Sequence, residues 1–167
     1  MEVILDDITK LEVDAIVNAA NTSLLGGSGV DGAIHKASGS ELVDECRSLR
    51  GCKIGDAKLT KGYRLPANFI IHTVGPVWRG GNHGEAELLA QCYYKCMQIA
   101  ADKEFNSLAF PCISTGIYKY PKALAAEVAV KVCNEQLQKN GCPQKIIFCC
   151  YDPENYEIYT SILGLTH

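Results

Sequence analysis

The sequence predicts an α/β protein, a three-layer α/β/α sandwich with a central sheet of about six strands. Short apolar runs bounded by polar residues alternate along the chain with longer stretches of helical spacing. Two glycine-containing loops each follow such a run and precede a helix, the arrangement by which open α/β sheets hold ligands. The 167 residues, 47% hydrophobic and 21% charged, suffice for one well-cored domain spanning 1–167 but are too few for two comfortable ones.

In order, Val3 to Leu5 and Ala15 to Ala19 read as strands. Val30 to Leu49 carries helical periodicity, in one helix or in two broken around Gly39-Ser40. Ala57 to Thr60 and Phe69 to Val74 are strands, the second apolar enough to lie centrally. Glu85 to Lys103 is the clearest helix, with Leu88, Leu89, Cys92, Cys96 and Ile99 at helical spacing. Ser107 to Cys112 is a strand, and Pro121 to Lys139 a helix opened by proline in its first turn. Lys145 to Tyr151 and Pro153 to Leu163 complete the pattern as strand and helix. Trp78 to Gly84 (WRGGNHG) is expected to be a mobile loop.

Composition excludes several classes. A net charge of -3 and the lack of any Lys/Arg run argue against duplex nucleic acid or a membrane surface as the main partner. With no basic n-region after Met1 and no run of 18 apolar residues, a soluble, cytoplasmic protein is expected. Nine cysteines, an odd number without a Cys-x-x-Cys pair, are expected to be mostly buried and reduced.

Chemistry concentrates in the two loops. Asn18 and Asn21 sit at or just past the carboxyl end of the Ala15 run, and Gly26, Gly27, Gly29 and Gly32 follow. Glycine loses the most backbone entropy on folding, so such a cluster implies positive φ or close approach to a ligand. A helix starting near Val30 would aim free N–H groups and its positive dipole end at an anion. Gly27 to Gly32 also fits G-x-G-x-x-G, but about six residues separate it from the strand, and no second strand follows at the spacing that a dinucleotide site needs. The second loop runs from Ile113 to Tyr120. If the two strands are neighbours, amides of both loops can surround a pyrophosphate without Lys or Arg. Ordinary βα turns with Ser/Thr capping are the competing explanation.

The residues Asp7 to Asn21 (DITKLEVDAIVNAAN), Leu24 to His35 (LLGGSGVDGAIH), Gly62 to Pro66 (GYRLP), His72 to Pro76 (HTVGP) and Phe110 to Pro121 (FPCISTGIYKYP) resemble, nearly end to end and in order, the macrodomains, in particular the MacroD-type branch that hydrolyses ADP-ribose esters. The resemblance implies a mixed sheet, ADP-ribose as ligand, and no cofactor. It implies that Asp7 accepts the adenine amino group beside the Ile8 amide, and that Tyr151 packs near adenine; a strand-end tyrosine half in the core explains Tyr151 equally well. Gly27, Ser28, Gly29 and Val30, with Ser114, Thr115, Gly116, Ile117 and Tyr118, resemble the two diphosphate loops, and Tyr118 the ring that closes over the distal ribose.

Asn21 and Asp31 resemble the chemical pair, with Asn21 on the ribose hydroxyls and Asp31 holding or deprotonating a water or ribose hydroxyl. Their spacing alone is equally met by a turn-capping Asn and an Asp at a helix N-terminus. His35, one helical turn after Asp31, either orients that carboxylate or packs. Two positions depart from the family pattern: Asp6 and Lys119 stand where glycine is common. No cysteine lies between Asn18 and Ile34, so the zinc-dependent branch is not matched and no metal is expected. The resulting expectation is a monomeric, metal-free hydrolase that acts on mono-ADP-ribosylated proteins, with Asp or Glu as the modified side chains, and on O-acetyl-ADP-ribose. A non-catalytic ADP-ribose reader is the alternative.

Overall fold

The structure, a computed structural model, describes residues 1–164. Its elements run β1 (Glu2–Leu5), a 3-10 turn (Ile8–Lys10), β2 (Ala15–Ala19), α1 (Gly29–Ser38), α2 (Ser40–Ser48), β3 (Ala57–Lys61), β4 (Phe69–Thr73), α3 (Glu85–Asp102), β5 (Ser107–Phe110), α4 (Lys122–Asn140), β6 (Lys145–Cys150) and α5 (Pro153–Ile162). The helical stretch after the first glycine loop is two helices. Gly39 adopts φ +93°, a backbone that L side chains rarely adopt, and separates α1 from α2 while its amide caps His35.

Most boundaries shift by a residue or two, and three departures have a clear local reason. Pro121 precedes α4 as its N-cap, because its ψ of 127° is extended and only its carbonyl joins the helix, accepting from the Ala125 amide. β5 ends at Phe110, before Pro111, which has no N–H to donate to a ladder. The 3-10 turn had no periodic signal; Asp7 initiates it by accepting from the Thr9 amide.

The six strands form one mixed sheet in the order β1-β6-β5-β2-β4-β3. All neighbours are parallel except β3, which runs antiparallel to β4 at one edge. Alternation along β2 divides its side chains between two cores. Ala15 and Val17 face α3, α4 and α5 with Leu89, Met97 and Phe110, whereas Ile16 faces α1 and α2 with Ile34 and Leu42. Phe110 lies between Tyr93 and Phe148, at ring centroid distances of 5.0 and 6.0 Å. Seven of the nine cysteines are buried, and all nine are free thiols.

This topology sets the position of the site. The chain leaves β2 toward β3 and β4 on one side, and leaves β5 through α4 toward β6 on the other. The carboxyl ends of β2 and β5, hydrogen-bonded neighbours, therefore flank the crevice where connections diverge.

The loop from Trp78 to Gly84, expected to be mobile, is tied down by a side chain. The Glu85 carboxylate accepts from the amides of Arg79 (2.8 Å), Gly81 (2.9 Å) and His83 (2.6 Å). Burial would raise this carboxyl, but the donated amides outweigh it and hold the group at about 2, below its ordinary 4.5. A depressed carboxyl stabilises the fold above its unfolded pKa, and that contribution disappears as pH falls through the folded value. Glu85→Gln is therefore expected to flatten the pH dependence of the urea midpoint between 4.5 and about 2, and to speed amide exchange at Arg79, Gly81 and His83. Superimposable wild-type and variant curves in that window would remove the carboxylate as the anchor.

Candidate functional site

The candidate site residues lie at the carboxyl ends of β1, β6, β5 and β2, in the segments that follow these strands and, for Gly29, Val30, Asp31 and His35, in α1. Asp7 and Ile8 follow β1, and Tyr151 follows its neighbour β6, with the Asp6 amide bonded to the Cys150 carbonyl at 3.0 Å. Asp7 Oδ1 accepts from the Thr9 hydroxyl at 2.7 Å and the Thr9 amide at 3.0 Å. The hydroxyl bond is the main reason that this carboxyl is held below its ordinary value. Both bonds land on Oδ1, leaving Oδ2 for an outside donor. Tyr151 is 89% exposed, which overturns the half-buried alternative and leaves its ring as a free surface beside Asp7.

Asn21 folds the first loop. Its Oδ1 accepts from the Ser23 hydroxyl and the Leu24 amide, and its Nδ2 donates to the Gly26 carbonyl at 2.9 Å. Asn21 thus does the turn-capping work that its residue type suggests, and that work aims its amide at Gly27. A Cβ at Gly27 would lie 3.0 Å from Asp31 Oδ2 and 3.4 Å from Asn21 Nδ2. Asn21 and Asp31 are therefore brought together across a gap that the absent side chain keeps open. Ser28 is the N-cap of α1 but makes no side-chain cap bond, so the first-turn amides of Gly29, Val30 and Asp31 point out uncapped.

Asp31 is only 4% exposed. Its Oδ1 accepts from Asn18 Nδ2 at 2.8 Å. His35 Nε2 is 3.4 Å from the same oxygen, close enough to act through its charge but out of line for a hydrogen bond, so Nε2 has no hydrogen-bond partner. Burial raises the Asp31 carboxyl above its ordinary value, against the opposing pull of the Asn18 bond and His35. Behind Asn18 stands His72, fully buried on β4, with Nδ1 3.1 Å from Asn18 Nδ2 and Nε2 2.8 Å from Thr60 Oγ1. The two Nδ2 bonds, to Asp31 and to His72, set the orientation of the Asn18 amide.

The second loop is shaped by left-handed residues at Ser114 (φ +66°) and Lys119 (φ +60°). Lys119 thus occupies a backbone that glycine takes more easily, the departure noted from the sequence. The Ser114 carbonyl accepts from the Tyr120 amide, and Thr115 Oγ1 donates to the Cys112 carbonyl. Gly116 and Ile117 are exposed, Ile117 to 73%. Tyr118 is half-buried, and its carbonyl accepts from the Trp78 amide at 2.8 Å. The Trp78 ring packs on Tyr120 with centroids 4.7 Å apart, so the Glu85-anchored loop also props the second loop.

Sequence reasoning gave no role to His72, Thr60, Trp78 or Glu85, and none to Asn18 beyond its place at the strand's end. Two signals were present: Asn18 is in phase with Ile16 on β2, and His72 interrupts an apolar strand. Their meeting depends on the β2 to β4 register, which pairs Asn18 with His72. Among the described residues no three His, Cys, Asp or Glu side chains stand together as a metal site.

Residues 17–129 match the family model described as Macro domain. A macro domain-containing protein of Mesorhizobium japonicum is 60% identical over 153 residues, which cover 92% of this chain and 87% of that one. The O-acetyl-ADP-ribose deacetylase of Salmonella typhimurium is 51% identical over 167 residues, 98% of this chain and 93% of its own. A mutant Oceanobacillus iheyensis macrodomain solved with ADPR superposes at a TM-score of 0.93 and 40% identity, covering 97% of this chain and 90% of that one. A Trypanosoma brucei macrodomain in complex with ADP-ribose gives 0.91 and 40%, over 97% and 68%. With a family model matching more than half of its length and relatives this similar nearly end to end, the chain belongs to the macro domain family.

Proposed function

We propose that this macrodomain binds ADP-ribose along the carboxyl edge of its sheet and hydrolyses ADP-ribose esters, deacylating O-acetyl-ADP-ribose and releasing mono-ADP-ribose from Asp and Glu side chains of proteins. The observation that carries the reading is Asp31, a buried carboxylate turned toward the same glycine gap as the Asn21 amide. Desolvating a carboxylate costs stability, and a reader that only holds its ligand has no use for that cost. The Salmonella deacetylase and the ADP-ribose complexes of related macrodomains support the same chemistry.

In this reading the ligand lies across the strand ends. From β1 to β2 the sheet advances three strand intervals, about 14 Å. Asp7 Oδ2 and the Ile8 amide take the adenine amino group and ring edge, with the exposed Tyr151 ring alongside. The uncapped amides of Gly29 and Val30 and the backbone of Ser114 to Tyr118 hold the diphosphate, so an acidic chain binds an anion without Lys or Arg. Gly27 admits the distal ribose next to Asn21, and Tyr118 covers it. Asp31 Oδ2 holds the attacking water and takes its proton as the new C–O bond forms and the ester C–O bond between acyl group and ribose breaks. The proton then passes from Asp31 to the leaving oxygen, giving a carboxylic acid and free ADP-ribose. A raised carboxyl is the better base here, since its proton affinity moves toward the working pH. No metal takes part.

The distinguishing experiment separates binding from chemistry. Asp31→Ala should lower kcat on a glutamate-modified substrate by about 100-fold or more, with ADP-ribose affinity within several-fold of wild type. Asp7→Ala should instead weaken binding by about 1–3 kcal/mol and leave turnover at saturation largely intact. Release of ADP-ribose by Asp31→Ala at the wild-type rate would make the protein a reader. Gly27→Ala, whose methyl would crowd Asp31 and Asn21, should weaken ADP-ribose binding about tenfold, while its Tm, read by calorimetry, stays near wild type. Unchanged affinity would move the ribose elsewhere. Exhaustive chelation should leave kcat unaltered; loss of activity that zinc restores would end the metal-free mechanism.

A further inference from the structure

The Asn18 side chain commits both of its amide hydrogens. One goes to Asp31 Oδ1 at 2.8 Å and the other to His72 Nδ1 at 3.1 Å. For Nδ1 to accept, the hydrogen of a neutral His72 ring must sit on Nε2, where the Thr60 hydroxyl oxygen lies 2.8 Å away. Thr60 in turn donates its own hydrogen to the Lys61 carbonyl at 3.1 Å. Each assignment forces the next. Reversing the Asn18 amide would set its oxygen against an ionised Asp31 and would require the His72 hydrogen on Nδ1.

We propose that Asn18, oriented by His72 and Thr60, is the positioning residue that fixes the Asp31 carboxylate, holding Oδ1 so that Oδ2 stays turned toward Gly27 and the ribose. The proposal rests on the reading of Asp31 as the base. Register supplies the arrangement, since β2 and β4 pair Asn18 with His72, and β3, whose Lys58 pairs with His72, brings Thr60 within reach on the diagonal. The groups facing Asp31 are Asn18 from β2, Asn21 from the first loop, His35 from its own helix and Cys46 from α2, with His72 behind Asn18 on β4. Burial, and the charge of His35 to a lesser degree, hold His72 down at about 3, and burial pushes the Cys46 thiol up to about 11. Neither changes charge in the neutral range, so the acceptor for Asn18 persists wherever Asp31 is ionised.

The test has two arms. In wild-type protein with nitrogen-15 histidine, NMR at neutral pH should show His72 uncharged with its hydrogen on Nε2; a hydrogen on Nδ1 overturns the proposal without any variant. In Asn18→Leu, Asp31 loses the donated bond that lowers its pKa, so the acid limb of kcat should move to higher pH and kcat at pH 7 should fall about tenfold. ADP-ribose affinity should stay within a few-fold. A packing role for Asn18 would lower stability but leave the limb in place, so superimposable profiles overturn the relay. A wild type that binds ADP-ribose and turns nothing over overturns the hydrolase reading and the relay's role with it, whereas a wild type that turns over with an unmoved limb in the variant overturns the relay alone. Should Asn18→Leu fail to fold, the wild-type tautomer decides.

Discussion

The parallel pairing of β2 with β5 on one side and β4 on the other is the constraint from which the rest follows. β4 pairs with β2 over its full length, Ala15 to Ala19, and so fixes its carboxyl end, whereas β5 pairs only at Ala15 and Ile16 and leaves the strand ends open beyond. The β5 side sets the second glycine-containing loop next to the first. The β4 side sets His72 beside Asn18, and Gly75, two residues beyond β4, against Ser114. A Cβ on Gly75 would lie 2.2 Å from Ser114 Oγ and 2.7 Å from Ile113 Cγ2, so the loop after β4 and the loop after β5 fit only with hydrogen at that position. The second loop is thus held by the sheet from below and by the loop after β4 from the side.

Electrostatics then divide the labour. An overall charge of -3 gives no long-range pull on a dianionic ligand, so recognition falls to amides at short range. The uncapped start of α1 supplies them, and the same dipole end favours the ionised form of Asp31 in its first turn. Burial works against ionisation there. The result is a carboxylate set between a favourable helix end with an Asn18 bond and an unfavourable apolar surround, the latter prevailing, so that its carboxyl lies above its ordinary value.

The legibility of the chain follows the range of its interactions. Strands and helices were readable because their signals are local: the apolar run at Phe69, the spacing of Leu88, Leu89, Cys92 and Cys96, the glycine break at Gly39. The placement of Asn21, Asp31 and Tyr118 on one edge was readable through the family resemblance and the position of both loops at strand ends. Tyr151 could not be decided, because exposure at a strand's end depends on what its neighbours cover, and here they leave it 89% exposed. The 3-10 turn escaped because three residues are too few for a period, and Pro121 because its ψ depends on the incoming chain from Tyr120. The Asn18 to His72 contact spans 54 positions and is a fact of register, which no local pattern records. Glu85 was read only as the first residue of a helix, since a carboxylate gathering amides of the loop before it looks the same in sequence as an acidic residue favoured by the dipole.

Glu85 and Asp31 are both first-turn carboxylates, on α3 and α1, and the contrast between them explains why one is structural and the other is available for chemistry. Glu85 receives three backbone amides across its two oxygens and is held at about 2, so it stays ionised near neutral pH. Asp31 receives one side-chain amide on one oxygen, and its other oxygen faces a glycine. The same residue class in the same first turn of a helix thus meets opposite surroundings according to how many donors the adjoining loop supplies. Around α3 the loop closes on the carboxylate. Around α1 the Asn21 side chain turns the loop's own carbonyl at Gly26 to itself, the amides of Gly29 and Val30 face outward, and Asp31 Oδ2 keeps the open coordination that a water would need.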